Sequence, residues 1–207
     1  MQINRRALFG VSGMLLMFSG LPGCGNSGPR PVLPDLPDSS AAQKALELYD
    51  TNRDGFLDAA ELEKVPGLKA GLKRLDTTHR GMISADEIAA RIKDWAASKV
   101  GRMPVSCRIN HNGIPLVGAK VVFAPEPFLG GTLQPGSGTT NKQGLVSISS
   151  PYAADPKIKG LSPGFYRIEV TKDGEKLPAR YNSETTLGVE VAPGVSDLSS
   201  MVFDLQF

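Results

Sequence analysis

Between Asp50 and Glu61 the chain reads DTNRDGFLDAAE, with acid or amide side chains at the first, third, fifth, ninth and twelfth positions: Asp50, Asn52, Asp54, Asp58 and Glu61. Oxygen ligands at this spacing suit a hard divalent cation that takes six to eight oxygens, and the pattern is that of a calcium loop. Asp50, Asn52 and Asp54 offer three side-chain oxygens. Phe56, at the seventh position, offers its backbone carbonyl. Asp58 fills the ninth position, often through water, and Glu61 closes the shell with both carboxylate oxygens. Gly55 stands where the chain turns sharply and a Cβ would obstruct.

The same frame returns from Asp76 to Glu87 as DTTHRGMISADE. Asp76, Gly81 and Glu87 keep their places, Met82 stands at the carbonyl position, and Ile83 sits where Leu57 does. Thr78 replaces the acid or amide at the third position and Arg80 at the fifth. A unit positive charge about 4 Å from a cation opposes it by roughly 4 kcal/mol at the screening of a protein surface. The spacing therefore predicts one calcium ion, at Asp50–Glu61. The second loop is read as a structural support, although Asp76, Thr78, Met82 and Glu87 occupy its ligand positions.

The segments around both loops are helical in pattern. Ala45, Leu46 and Tyr49 make an apolar face before the first loop, and Leu62 and Val65 follow it. Pro66 is expected to stop that helix and Gly67 to release the turn. Leu68, Leu72 and Leu75 then form one stripe, and Ile88, Ile92 and Trp95 the next. Trp95 is expected in the core or at a domain seam. The region resembles the EF-hand family. That resemblance implies calcium ligation by the residues named, an antiparallel bridge between Leu57 and Ile83, and a core shared by two paired hands. Dockerin modules also space calcium loops closely, but they lack an entering helix such as Ala41 to Tyr49.

In the whole chain of 207 residues, 41% are apolar and 21% charged, with 23 Gly and 16 Pro. That composition fits a folded protein rich in turns and strands. The start is different. Asn4-Arg5-Arg6 is followed by an uncharged stretch from Ala7 to Leu21, about fifteen residues long, short of the roughly 20 that a membrane-spanning helix needs. It reads as a secretory leader over residues 1–23. The Arg pair is an incomplete twin-Arg signal. Leu21-Pro22-Gly23-Cys24 resembles the lipobox of bacterial lipoproteins, which implies a lipid on Cys24, with Pro22 departing from the usual small residue. Of the 23 basic residues, Arg5 and Arg6 fall in the leader, leaving 21 against 21 acidic ones. That balance gives no case for nucleic acid. Residues 24–39, rich in Pro and Gly, read as an extended tether. Cys107 would be the other cysteine, so no intrachain disulfide is expected.

From Val105 the period changes to two, with frequent Gly and Pro turns, so residues 40–99 are read as the paired hands and 104–207 as an all-β domain. Expected strands include Val105 to Ile109, Ala119 to Phe123, Gly144 to Ile148, one carrying Tyr166, Ile168 and Val170, one carrying Leu187, Val189 and Val191, and one carrying Met201, Phe203 and Leu205. Asp173-Gly174 is a hairpin signal. The overall class is α+β in separate parts, helical hands followed by a β-sandwich. Asn112 to Phe123 (NGIPLVGAKVVF), Thr139 to Gly144 (TTNKQG) and Gly160 to Tyr166 (GLSPGFY) resemble, in order, the motifs of transthyretin-like and carboxypeptidase-regulatory-like domains. Pro178-Ala179-Arg180-Tyr181 is similar to a segment of short lipoproteins of planctomycete-type bacteria. This resemblance implies a binding or spacing module and no catalysis.

His79 and His111 read as turn residues, and Cys107 as a buried small residue. The expectation is an exported, lipid-anchored calcium-binding protein of the cell envelope, not an enzyme, whose calcium mainly stabilises structure. The alternative is a carbohydrate- or protein-binding module whose active part is the sandwich. The partners expected are a membrane, through the Cys24 lipid, and an unidentified protein or glycan.

Overall fold

The computed structural model describes residues 36–150 and 159–207. The leader, Cys24 and most of the tether lie outside these residues. Helix α1 (Ser40–Tyr49) buries Ala41, Ala42, Ala45 and Leu46 on one face. The first loop then leads into β1 (Phe56–Leu57) and the single-turn helix α2 (Ala59–Leu62). Helix α3 (Pro66–Leu75), β2 (Ile83–Ser84) and α4 (Ala85–Ser98) complete the helical segment. Strands β1 and β2 pair antiparallel, with Leu57 opposite Ile83 and Phe56 opposite Ser84. Both Leu57 and Ile83 are fully buried, so the two loops sit back to back over a common core.

Pro66 and Gly67 correct the sequence expectation. Pro66 begins α3 rather than ending the preceding helix, and Gly67 lies within the first turn of α3. Proline suits this position because its missing N–H is one the first turn leaves unpaired in any case. Glycine at 67 answers a steric demand. A Cβ there would lie 2.9 Å from Cγ and Oε1 of Glu126 and 3.0 Å from the Tyr166 nitrogen.

The β segment forms two sheets. In one, β10 (Met201–Leu205) pairs parallel with β3 (Val105–His111), which also pairs antiparallel with β4 (Ile114–Pro115) and β7 (Leu145–Ile148). In the other the order is β6-β5-β8-β9: Gly136–Thr139, Lys120–Pro125, Gly164–Thr171 and Gly188–Val191. Asn112 and Gly113, both at positive φ, make the turn between β3 and β4, as an Asn-Gly pair favours. The short β6, Gly-Ser-Gly-Thr, carries no apolar alternation to announce it. Its glycines allow close approach: a Cβ on Gly138 would lie 2.5 Å from the Ser147 carbonyl oxygen and from Val146 Cγ2.

Alternation along β8 buries Tyr166, Ile168 and Val170, but Phe165 on the other face is buried as well. The helices cover that second face. Trp95 packs on Phe165 with ring centroids 4.8 Å apart. Glu190, opposite Phe165 in the β8–β9 register and fully buried, accepts hydrogen bonds from Arg74 Nε (2.7 Å), Arg91 Nε (2.5 Å) and Trp95 Nε1 (3.2 Å). Trp95 is thus a seam residue, and one continuous core runs from the helices through both sheets. Among the described residues no helix is long and apolar enough to cross a membrane.

Candidate metal site

The first loop is built around four carboxylates that serve its backbone. Asp50 ends α1, accepting from Arg53 N through Oδ1 (2.6 Å) and from Gly55 N through Oδ2 (3.0 Å). Asn52 Oδ1 accepts from Asp54 N, and Asp54 Oδ1 from Phe56 N, both at 2.9 Å. These short side chains fold the chain back on itself before the strand begins. Gly55 adopts φ of 86° and Arg53 of 60°, so the turn uses the left-handed region twice.

Asp58 caps α2 and forms a capping box with Glu61: Asp58 Oδ1 accepts from Ala60 N and Glu61 N, and Glu61 Oε2 accepts from Asp58 N. The other oxygen, Oε1, accepts from Thr51 N (2.6 Å), Thr51 Oγ1 (2.9 Å) and Asn52 N (3.3 Å). Glu61 is only 4% exposed. Desolvation works against its charge, but the hydrogen bonds from Asp58, Thr51 and Asn52 outweigh that effect and hold its carboxyl below the usual range. The closing ligand is therefore an oriented anion. Thr51 was not among the candidates read from sequence. The signal was present, because Asp-Thr opens both loops.

The donors fit calcium in kind: the carboxylates of Asp50, Asp54, Asp58 and Glu61, the amide of Asn52 and the Phe56 carbonyl are all hard oxygens within one twelve-residue turn. Among the described residues, no three His, Cys, Asp or Glu side chains already converge as a metal cluster. The acids here are turned largely to the loop's own amides.

The second loop repeats the main bonds of the frame. Asp76 Oδ2 accepts from Gly81 N (2.6 Å), Glu87 Oε1 from Thr77 N and Oγ1 (3.1 and 3.0 Å), and Glu87 Oε2 from Ser84 N (2.9 Å). His79 and Gly81 take positive φ where Arg53 and Gly55 do. Ser84 replaces Asp58 as the helix cap and forms the same box with Glu87. The fifth position differs. Arg80 Nε donates to Thr78 Oγ1 at 2.6 Å, and Nη2 lies 3.7 Å from Glu87 Oε2. Met82 stands just before β2 and is half-buried. A guanidinium at the fifth position, and a threonine where the first loop has Asn52, offer a cation fewer hard oxygens than the first loop does.

Elsewhere, Cys107 is 1% exposed and burial pushes its thiol up to about 12, which works against a thiolate nucleophile. His111 stacks on Phe207 at 3.8 Å.

A comparison with curated proteins finds no match. Among solved structures, the dioxygenase domain of a dioxygenase carbohydrate-binding protein fusion from the cellulolytic bacterium Streptomyces sp. SirexAA-E is similar over 50% of this chain and 77% of its own, with 14% identity and a TM-score of 0.27. That likeness is too slight to bear on fold or function. Residues 42–66 match the model of a family described as EF hand. The match covers most of α1, the whole first loop and α2, which supports reading this segment as an EF hand, and calcium is the ligand it suggests.

Proposed function

We propose that this chain is an exported, lipid-anchored calcium-binding protein in which one ion stabilises the helical segment beside a β-sandwich that binds or spaces. The observation that carries the calcium reading is the complete oxygen set of Asp50, Asn52, Asp54, Phe56, Asp58 and Glu61 on a turn that the protein already holds in shape. When bound, calcium would offset half the charge of the four carboxylates gathered within twelve residues. The chain's own residues do the rest. Asp50 ties the end of α1 to Gly55, and Glu61 ties the start of α2 back to Thr51 and Asn52. The β1–β2 bridge hands that order to the second loop. At free calcium of about ten times Kd the gain is about 1.4 kcal/mol.

Export and anchoring rest on the sequence of residues 1–24, and a transthyretin-like sandwich on the order of its turn motifs. Support for the latter comes from where those motifs fall: Asn112-Gly113 between β3 and β4, Asn141 to Gly144 before β7, Pro163-Gly164 at the start of β8. A stabilising rather than enzymatic role is part of the same proposal.

Calorimetry with CaCl2 on the full chain tests it. One ion should bind per chain. Glu61→Gln and Asp50→Ala should each weaken binding on the order of 100-fold, because ligand charge sets the affinity of such loops. Absence of binding to the unaltered chain, or binding indifferent to both substitutions, would sink the calcium reading.

A further inference from the structure

We propose that Arg80 is a tethered cation that takes the place of calcium in the second loop, making that half of the pair metal-independent. Four observations converge on this residue, three of them on its side chain. Its Nε donates to Thr78 Oγ1, at the loop's third position, over 2.6 Å. Its Nη2 lies 3.7 Å from Oε2 of Glu87, the closing acid. Its Cζ lies 4.3 Å from the centroid of the Phe56 ring, across the β1–β2 bridge. Its own N–H donates to Asp76 Oδ1, at the first position, over 3.0 Å. One residue thus touches the first, third and twelfth positions of its own loop and the seventh of the other.

The chemistry suits that role. The Glu87 side chain is 9% exposed. Its two oxygens accept hydrogen bonds from Thr77 and Ser84, and a carboxylate so largely withdrawn from water gains from a cation beside it. Arg80 is the ion-pair partner that the described residues give it. A guanidinium is permanently charged, is more weakly hydrated than an ammonium and packs on aromatic faces, so it meets an acid on one side and Phe56 on the other. Its charge also disfavours a second cation in the same loop. The geometry is therefore one of replacement: the calcium frame is kept, and the cation comes from the chain.

The inference rests on the calcium reading of the first loop only for its contrast, and its test separates the two. Full-length unaltered protein, Arg80→Ala and the double variant Thr78→Asp/Arg80→Asp are melted in chelator and titrated with CaCl2. Arg80→Ala should lower the metal-free midpoint by roughly 2–4 °C. The double variant should be less stable without metal and bind one more calcium than the unaltered chain. An Arg80→Ala midpoint equal to that of the unaltered protein overturns the proposal, and so does a double variant that gains no site. If the unaltered chain binds no calcium while Arg80→Ala still melts early and the double variant gains one ion, the reading of the first loop fails and that of Arg80 stands.

Discussion

The two loops share a backbone and differ in what balances their charge. Each has an Asp that ties down a glycine amide six residues into the loop, a Thr that donates twice to the closing Glu, and a capping box at the exit. The first loop offers four acids and Asn52 to an external ion. The second has Thr78, Arg80 and Ser84 in place of Asn52, Asp54 and Asp58, and Arg80 reaches Thr78 and Glu87 from within the loop. The second is also the loop whose flanking helices are fastened to the sheet: Arg74 lies two residues before Asp76 and Arg91 four after Glu87, and both reach Glu190. On the proposal for Arg80, a loop frame is separable from its metal. One hand can be an anchored, metal-free platform against which the other binds its ion.

The contrast can be broken most forcefully at Glu190. Glu190→Ala would leave Arg74 and Arg91 facing a buried gap, at a cost of about 3–5 kcal/mol. Chemical denaturation in chelator should show the loss, and calcium should restore little of it, because Glu190 bonds to Arg74, Arg91 and Trp95, outside the ligand positions of both loops. An effect below about 1 kcal/mol would show that the anchor is dispensable.

A second test uses pH. Glu126 is 1% exposed and accepts from Gly67 N at 2.7 Å, at the start of α3. Burial raises its carboxyl from 4.5 to about 7, against the lowering effects of the Gly67 hydrogen bond and of Arg167. The folded chain therefore holds a proton that the unfolded chain has released. Stability from this group is complete below about pH 4.5 and is lost as pH rises through about 7, by at most about 3 kcal/mol. Glu126→Gln should remove that slope. Metal-free melts of both proteins between pH 5 and 8 should converge at the acidic end and separate at the alkaline end, with the Gln variant the more stable. Parallel profiles would dismiss the effect.

The smallest expected change is at Gly67. Gly67→Ala would press a methyl against Glu126 and the Tyr166 backbone, costing about 1–3 kcal/mol despite alanine's better helix propensity. The midpoint should fall while calcium stoichiometry stays the same. A stabilised variant would show that the seam can yield there.

Those residues also mark what was legible in the chain. The ligand frame, the Leu57–Ile83 bridge, the apolar faces of α1 and α4 and most strands could be read directly, because each is written in spacing over a few residues. Thr51 and Thr77 were equally local and went unread, being outside the ligand positions. Gly67 was misread as a turn because its reason, Glu126, lies 59 residues away. β6 gave no apolar alternation, because its glycines answer to Val146, Ser147 and Ile148 on the facing strand.

By itself, the sequence determined that Asp50–Glu61 carries the calcium-loop pattern and that Asp76–Glu87 departs from it at Thr78 and Arg80, since such a pattern is written in residues within twelve positions of each other. Only the tertiary structure decided that Arg80 leans on Phe56 of the first loop, that Glu190 binds α3 and α4 to the sheet, and that Pro66-Gly67 opens a helix. Each of these depends on a charge or a surface brought close by folding across tens of residues, and spacing along the chain carries no trace of such contacts.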